Sequence, residues 1–109
     1  MSVSLFIKSI DREIVNHDIP ISTQDVYENI WTPIASRHNL IILSHGAFGY
    51  EYDELSLADF IEELNRFISI AESTDNIPNE YREYIQTRSS ILLQELKKLE
   101  GRQVKFSIG

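Results

Sequence analysis

The chain contains no cysteine. That single absence removes a disulfide framework, a thiolate zinc site and a cysteine nucleophile together. Long hydrophobic runs are missing too: no apolar stretch approaches the roughly 20 residues a membrane span needs. Met1 to Ile10 shows no basic n-region, no long apolar segment and no small-residue cleavage site, so no secretory signal is expected. Glycine is sparse, with 4 in the chain, and Gly46 and Gly49 are too few to cradle a phosphate. No Gly-x-Ser-x-Gly, P-loop or dinucleotide fingerprint occurs. Cationic residues are the other shortage. Ten Lys and Arg face 17 Asp and Glu, for a net charge of -7. Nucleic acid and anionic membrane surfaces both demand cations, so neither is an expected partner.

The 109 residues, 42% hydrophobic and 25% charged, fit one domain over 1–109. Repeats, low-complexity segments and linkers are lacking. The acidic excess is unevenly spread. Residues 11–80 carry 14 acids and 3 bases, whereas residues 81–109 carry 3 acids and 6 bases. Between His38 and Asn65 there is no Lys or Arg, yet Glu51, Asp53, Glu54, Asp59, Glu62 and Glu63 all lie there. Such a block produces a negative field that attracts basic partners and speeds their encounter. The same block also serves as a solvated face that keeps a protein soluble.

Val3, Leu5 and Ile7 alternate with polar residues, which predicts a half-buried strand. A turn at Asp11-Arg12 would let Glu13 to Asn16 pair back as a short strand, with Pro20 ending the pattern. Ser22-Thr23-Gln24-Asp25 reads as a helix start, and Val26, Tyr27, Ile30, Trp31 and Ile34 recur at helical spacing. Pro33 inside that run predicts a kink or a break, and Asn39 a helix end. Leu40 to Leu43 is a short apolar run, read as a strand. With His45-Gly46 as a turn, and Phe48, Tyr50 and Tyr52 alternating beyond it, the segment predicts a hairpin of 40–44 with 47–52.

Leu57, Phe60, Ile61, Leu64, Phe67, Ile68 and Ala71 share one arc of a helix over about 56–72, opposite Asp59, Glu62, Glu63 and Arg66. A third helix is expected over about 79–100, with Tyr81, Tyr84, Ile85, Ile91, Leu92, Leu96 and Leu99 on its apolar arc and Gly101 as its stop. Val104, Phe106 and Ile108 alternate as a last strand. The predicted order is β-α-β-β-α-α-β. It fits an α+β fold, a mostly antiparallel sheet of about four strands with three helices packed on it. The alternating end strands are expected near each other in the sheet.

His17, His38 and His45 show no metal-binding spacing, and the only imaginable cluster, His45 with Glu51 and Asp53, reads better as a surface turn. No metal, cofactor or catalytic residue is expected, and the protein is not expected to be an enzyme. Arg88 falls inside the apolar arc of the third helix, so either its head is paired or its stem packs while the head reaches solvent. The candidate partner-binding residues are Tyr50, Glu51, Tyr52, Asp53, Glu54, Asp59, Glu62 and Glu63. They combine carboxylates that match basic groups with aromatics of the kind that anchor interfaces.

Trp31-Thr32-Pro33 at the end of an amphipathic helix, the apolar run Leu40–Leu43, and the Leu-rich helices from Leu57 and from Tyr81 make this small acidic chain resemble the immunity proteins of bacterial toxin systems, such as those of contact-dependent growth inhibition. The resemblance implies a cytoplasmic protein that binds a toxin domain, often a nuclease, and blocks its basic substrate surface. The alternative reading is a structural or regulatory subunit of a homo-oligomer, assembled through the hairpin or an edge strand, with no toxin partner.

Overall fold

Alternation at both ends of the chain builds the middle of a sheet. The computed structural model describes residues 2–9, 15–46, 49–74 and 77–109. Strand β1 (Ser2–Ser9) and strand β4 (Val104–Ile108) pair antiparallel at the centre, flanked by β2 (Val15–Thr23) and β3 (Glu51–Asp53) in the order β2-β1-β4-β3. Ser4 and Gly109 exchange both backbone hydrogen bonds at 3.0 Å, so the ends of the chain close the domain. Val3, Leu5, Ile7, Val104, Phe106 and Ile108 all point into the core. Phe6, on the other face, stays 44% exposed, which shows that the helices cover one side only.

The fold is α+β with an antiparallel four-stranded sheet, as the sequence predicts, but four helices pack on it instead of three. Helix α1 runs through 24–37, α2 is the single turn Ile41–Ser44, α3 is Leu57–Ser73 and α4 is Asn79–Lys97. The boundaries of α3, α4 and β4 fall close to those read from periodicity.

Three expectations are corrected. First, β2 continues through Pro20 to Thr23. Proline is tolerated because β2 is an edge strand, and the register slips beside it, between Val3 and Ser4. The expected turn at Asp11-Arg12, with Glu13 and Ile14, lies outside the described residues. Second, of the kink or break expected at Pro33, the break does not occur, because the helix continues through a widened turn. Residues Tyr27–Trp31 adopt π-helical geometry, and the Thr32 N–H reaches back to the Tyr27 carbonyl. A wider turn relieves the clash that a proline ring makes with the carbonyl four residues earlier. Third, Leu40 to Leu43 is not a strand, and 40–44 forms no hairpin with 47–52. The segment Ile41–Ser44 is helical, and Glu51–Asp53 pairs with β4. A four-residue apolar run has no period to distinguish strand from helix. Ala47 and Phe48 lie outside the described residues.

Aromatic stacking fills the space between helices and sheet. The Trp31 ring lies between Tyr27 at 5.7 Å and Phe67 at 4.6 Å, and Phe60 stacks on Phe106 at 5.2 Å. Each such side chain, fully buried, contributes about 1.5–3 kcal/mol by burial alone. One cost offsets this: among the described residues the buried Trp31 indole N–H has no hydrogen-bond partner. On α4 the buried row is Ile85, Ser89, Leu92 and Leu96. The Ser89 hydroxyl is satisfied within its own helix, donating to the Ile85 carbonyl at 2.7 Å. Tyr81, Tyr84 and Ile91, expected on the apolar arc, are instead 37–38% exposed.

Candidate functional site

The strongest concentration of acidic side chains forms around α3, and the way α3 starts explains its orientation. Asp53 ends β3 and its carboxylate accepts the Leu55 N–H at 3.0 Å, turning the chain into a short 3-10 segment, Glu54–Ser56. Helix α3 follows directly, with Leu57, Phe60, Leu64, Phe67 and Ala71 buried. The opposite face carries Asp59 and Glu62, both exposed. Acidic residues in a first turn are favoured by the helix dipole.

Glu63 departs from the expected polar face. It is half-buried and turns toward α2. Asn39, in the left-handed region at φ 59°, reverses the chain after α1, and the Leu40 N–H bonds back to the Ala35 carbonyl at 2.8 Å. The α2 turn that follows has no side-chain cap of its own. Glu63 supplies one from 20 residues away: its two carboxylate oxygens accept the N–H groups of Ile42 and Leu43, each at 3.1 Å. On the other side of the same turn, the buried Tyr27 hydroxyl donates to the Leu43 carbonyl. Leu43 is thus held at both its N–H and its C=O.

These contacts set the local electrostatics. Burial holds the Glu63 carboxyl above the usual range, the Asp59 charge adds to this, and the two N–H bonds and Arg66 act against it. Burial also raises the Tyr52 hydroxyl, with further contributions from Glu63 and Tyr50. The Tyr27 hydroxyl is raised most, by burial first and then by Glu63 and Tyr52. Arg66, in the same neighbourhood, donates to the His38 carbonyl at 3.1 Å.

Between α2, β3 and α3 lies an open groove of about 300 Å³, whose walls include Tyr52, Asp59, Glu62 and Glu63 together with Ile41 and Arg66. Four of the eight residues singled out in the sequence therefore meet in one place. The other four do not. Strand alternation sends Glu51 and Asp53 to the side of β3 away from Tyr52: Glu51 pairs with Lys105 at 3.7 Å on the open sheet face, and Asp53 is occupied at the start of α3. Tyr50 is exposed, with its ring edge-on to His45 at 5.7 Å. Glu54 is part of the 3-10 turn. Tyr52 itself stacks on Phe106 at 5.4 Å, so it belongs as much to the core as to the groove.

The arginine that shapes the fold is Arg82, not Arg88. Its guanidinium donates to the carbonyls of Ala71, Thr74 and Ile77 at 2.7, 2.8 and 3.2 Å, closing the end of α3 and the loop to α4. A sequence signal existed: a cation in the first turns of a helix opposes the dipole and needs another reason to be there. The half-buried Arg88 lays its guanidinium 5.2 Å over the Tyr84 ring.

Chemically, the groove offers two solvent-facing carboxylates beside Ile41, which is 60% exposed. That combination suits a long cationic side chain, with its head on the acids and its stem on the apolar surface. Glu63, whose carboxyl burial holds above the usual range, has both oxygens engaged by backbone N–H groups. Among the described residues no three His, Asp or Glu side chains converge as a metal site, and no helix is long and apolar enough to cross a membrane. No protein-family model matches the chain, and no significant match was found to curated proteins or to solved structures.

Proposed function

We propose that this protein is an acidic binding module that neutralises a basic protein partner, in the manner of an immunity protein that blocks a toxin domain. The observation that carries the reading is the groove of α2, β3 and α3, where Asp59 and Glu62 stand exposed beside Ile41 and the nearby cation, Arg66, is directed to the His38 carbonyl. A lysine or arginine of the partner fits there, and the surrounding negative field speeds its arrival. Inhibition is steric and electrostatic, and the module performs no chemistry of its own. The engagement of both Glu63 oxygens by α2 supports this, since it leaves the raised-pKa carboxyl holding structure rather than moving protons.

The test compares the wild type with an Asp59→Lys/Glu62→Lys variant, immobilised and used to capture protein from its native cell lysate at low salt. Both sites are exposed, so folding is retained. Reversing Glu63 is avoided because it would release α2. The reading requires a basic protein that the wild type retains, that a salt step releases, and that the double variant fails to hold. A partner held equally by both proteins refutes the groove as the docking site, and the absence of any salt-released basic protein refutes the function.

A further inference from the structure

A second surface, on α4, is independent of the acidic groove. Three partly exposed large hydrophobic residues, Tyr81, Tyr84 and Ile91, lie on this one helix. With Arg88, Glu95 and Lys98 they are spaced 3-4-3-4-3 and form a single stripe beside the buried row. An open hollow of about 480 Å³ lies beside its middle, lined by Tyr84, Arg88 and Ile91 of the stripe together with Glu80, Glu83 and Thr87. The helix start carries Glu80 and Glu83, with Arg82 between them turned onto backbone carbonyls, and its end carries Lys97 and Lys98 beside Glu95.

We infer that this stripe pairs with the same stripe of a second copy, antiparallel, forming a two-fold dimer. The spacing is self-complementary about a point between Arg88 and Ile91. That axis sets Arg88 opposite Ile91 of the second copy, Tyr84 opposite its Glu95, and Tyr81 opposite its Lys98. The posture of Arg88 supports the register. Its guanidinium already lies over Tyr84, the position that faces Glu95 of the second copy, so each Arg88 meets a carboxylate, twice by symmetry. The Lys98 ammonium lands on the Tyr81 ring. Antiparallel pairing brings the acidic start of one helix to the basic end of the other, whereas parallel pairing would stack like charges. The existing Glu95–Lys98 pair, at 3.0 Å, lies in solvent and opens at little cost. Tyrosine and arginine are the side chains that most often anchor interfaces. The contact is a single helix pair, so the dimer is concentration-dependent. It leaves the groove between α2 and α3 open.

Sedimentation velocity across a broad micromolar range, at low and at high salt, tests the inference. The wild type shifts from monomer to dimer with concentration, and high salt weakens the dimer by roughly tenfold. Arg88→Glu alone and Glu95→Arg alone remain monomeric, because each places like charges across the axis. Mixing the two variants restores a dimer, since the exchanged charges again match. Far-UV circular dichroism confirms that both are folded. A wild type that stays monomeric throughout overturns the inference. So does a dimer that survives either single reversal, or a mixture that fails to associate.

Discussion

Glu63 is the residue whose removal most directly tests how the groove is held. Its two oxygens accept the Ile42 and Leu43 N–H groups, and α2 has no other side-chain cap at that end. A hydrogen bond to a charged acceptor is worth about 1.5–3 kcal/mol net, so two give roughly 3–6 kcal/mol at most. The group is only half-buried, water replaces part of what is lost, and burial already taxes the carboxylate. Glu63→Ala should therefore cost about 2–3 kcal/mol, and Glu63→Gln about 1–2 kcal/mol, since the amide accepts one N–H and sets its own N–H₂ against the other. Trp31, the only tryptophan and fully buried, reports unfolding by fluorescence. At a urea slope of about 1–3 kcal/mol per molar, the alanine variant unfolds roughly 0.7–3 M earlier. The dependence on pH has a defined sign. A carboxyl raised above its ordinary 4.5 in the native state binds protons there that the unfolded chain releases. Its favourable share is complete below 4.5 and is lost as pH rises through the raised native value. The stability difference between wild type and Glu63→Gln should thus shrink with rising pH. A difference that grows with pH would show that the two N–H bonds outweigh burial. A midpoint unchanged in Glu63→Ala would show that α2 stands without its cap.

Three further perturbations address other joints of the fold. A methyl group at Gly46 would collide with the Tyr27 hydroxyl oxygen and sit 2.8 Å from its ring, so Gly46→Ala should lower the melting temperature by a cost of about 1–3 kcal/mol, and adding Tyr27→Phe should recover part of it. Strictly additive losses in that pair would exclude the clash. Arg82→Met removes three bonds to carbonyls at the end of α3 and beyond it, and should cost about 2–3 kcal/mol while speeding hydrogen exchange at residues 71–74 and at Ile77; protection equal to wild type would mean these residues are held otherwise. Asn39→Val should destabilise by about 1–2 kcal/mol because its φ of 59° is left-handed, whereas Asn39→Gly should not; equal effects in urea melts would contradict a backbone cause.

Much of the α+β class was legible because it rests on period. Val3-Leu5-Ile7 and Val104-Phe106-Ile108 alternate over enough residues to fix which face is buried, and α3 repeats its apolar arc over 17 residues. The α4 arc was read too broadly. Tyr81, Tyr84 and Ile91 lie to one side of the true buried row, and an amphipathic tyrosine fits either environment. Within the candidate site, the sequence brought together the right kind of side chain but joined two groups that β3 separates. Alternation alone would have placed Glu51 and Asp53 opposite Tyr52, yet which of those faces met α3 depended on pairing with β4, a strand some 50 residues away.

The segment Leu40–Leu43 marks the boundary between the two kinds of information. Three of its four apolar residues are buried while Ile41 stays exposed, and a run barely one helical turn long carries too little phase to announce a helix. Helix was chosen by partners distant in sequence: the Glu63 carboxylate on its N–H groups, the Tyr27 hydroxyl on the Leu43 carbonyl, and the left-handed turn at Asn39 that sets its entry. Composition and periodicity, which are local, determined the acidic surface, the long helices and the two central strands. The tertiary structure alone decided which carboxylates stay in solvent and which hold the chain, because that depends on the backbone groups the fold leaves without a hydrogen bond.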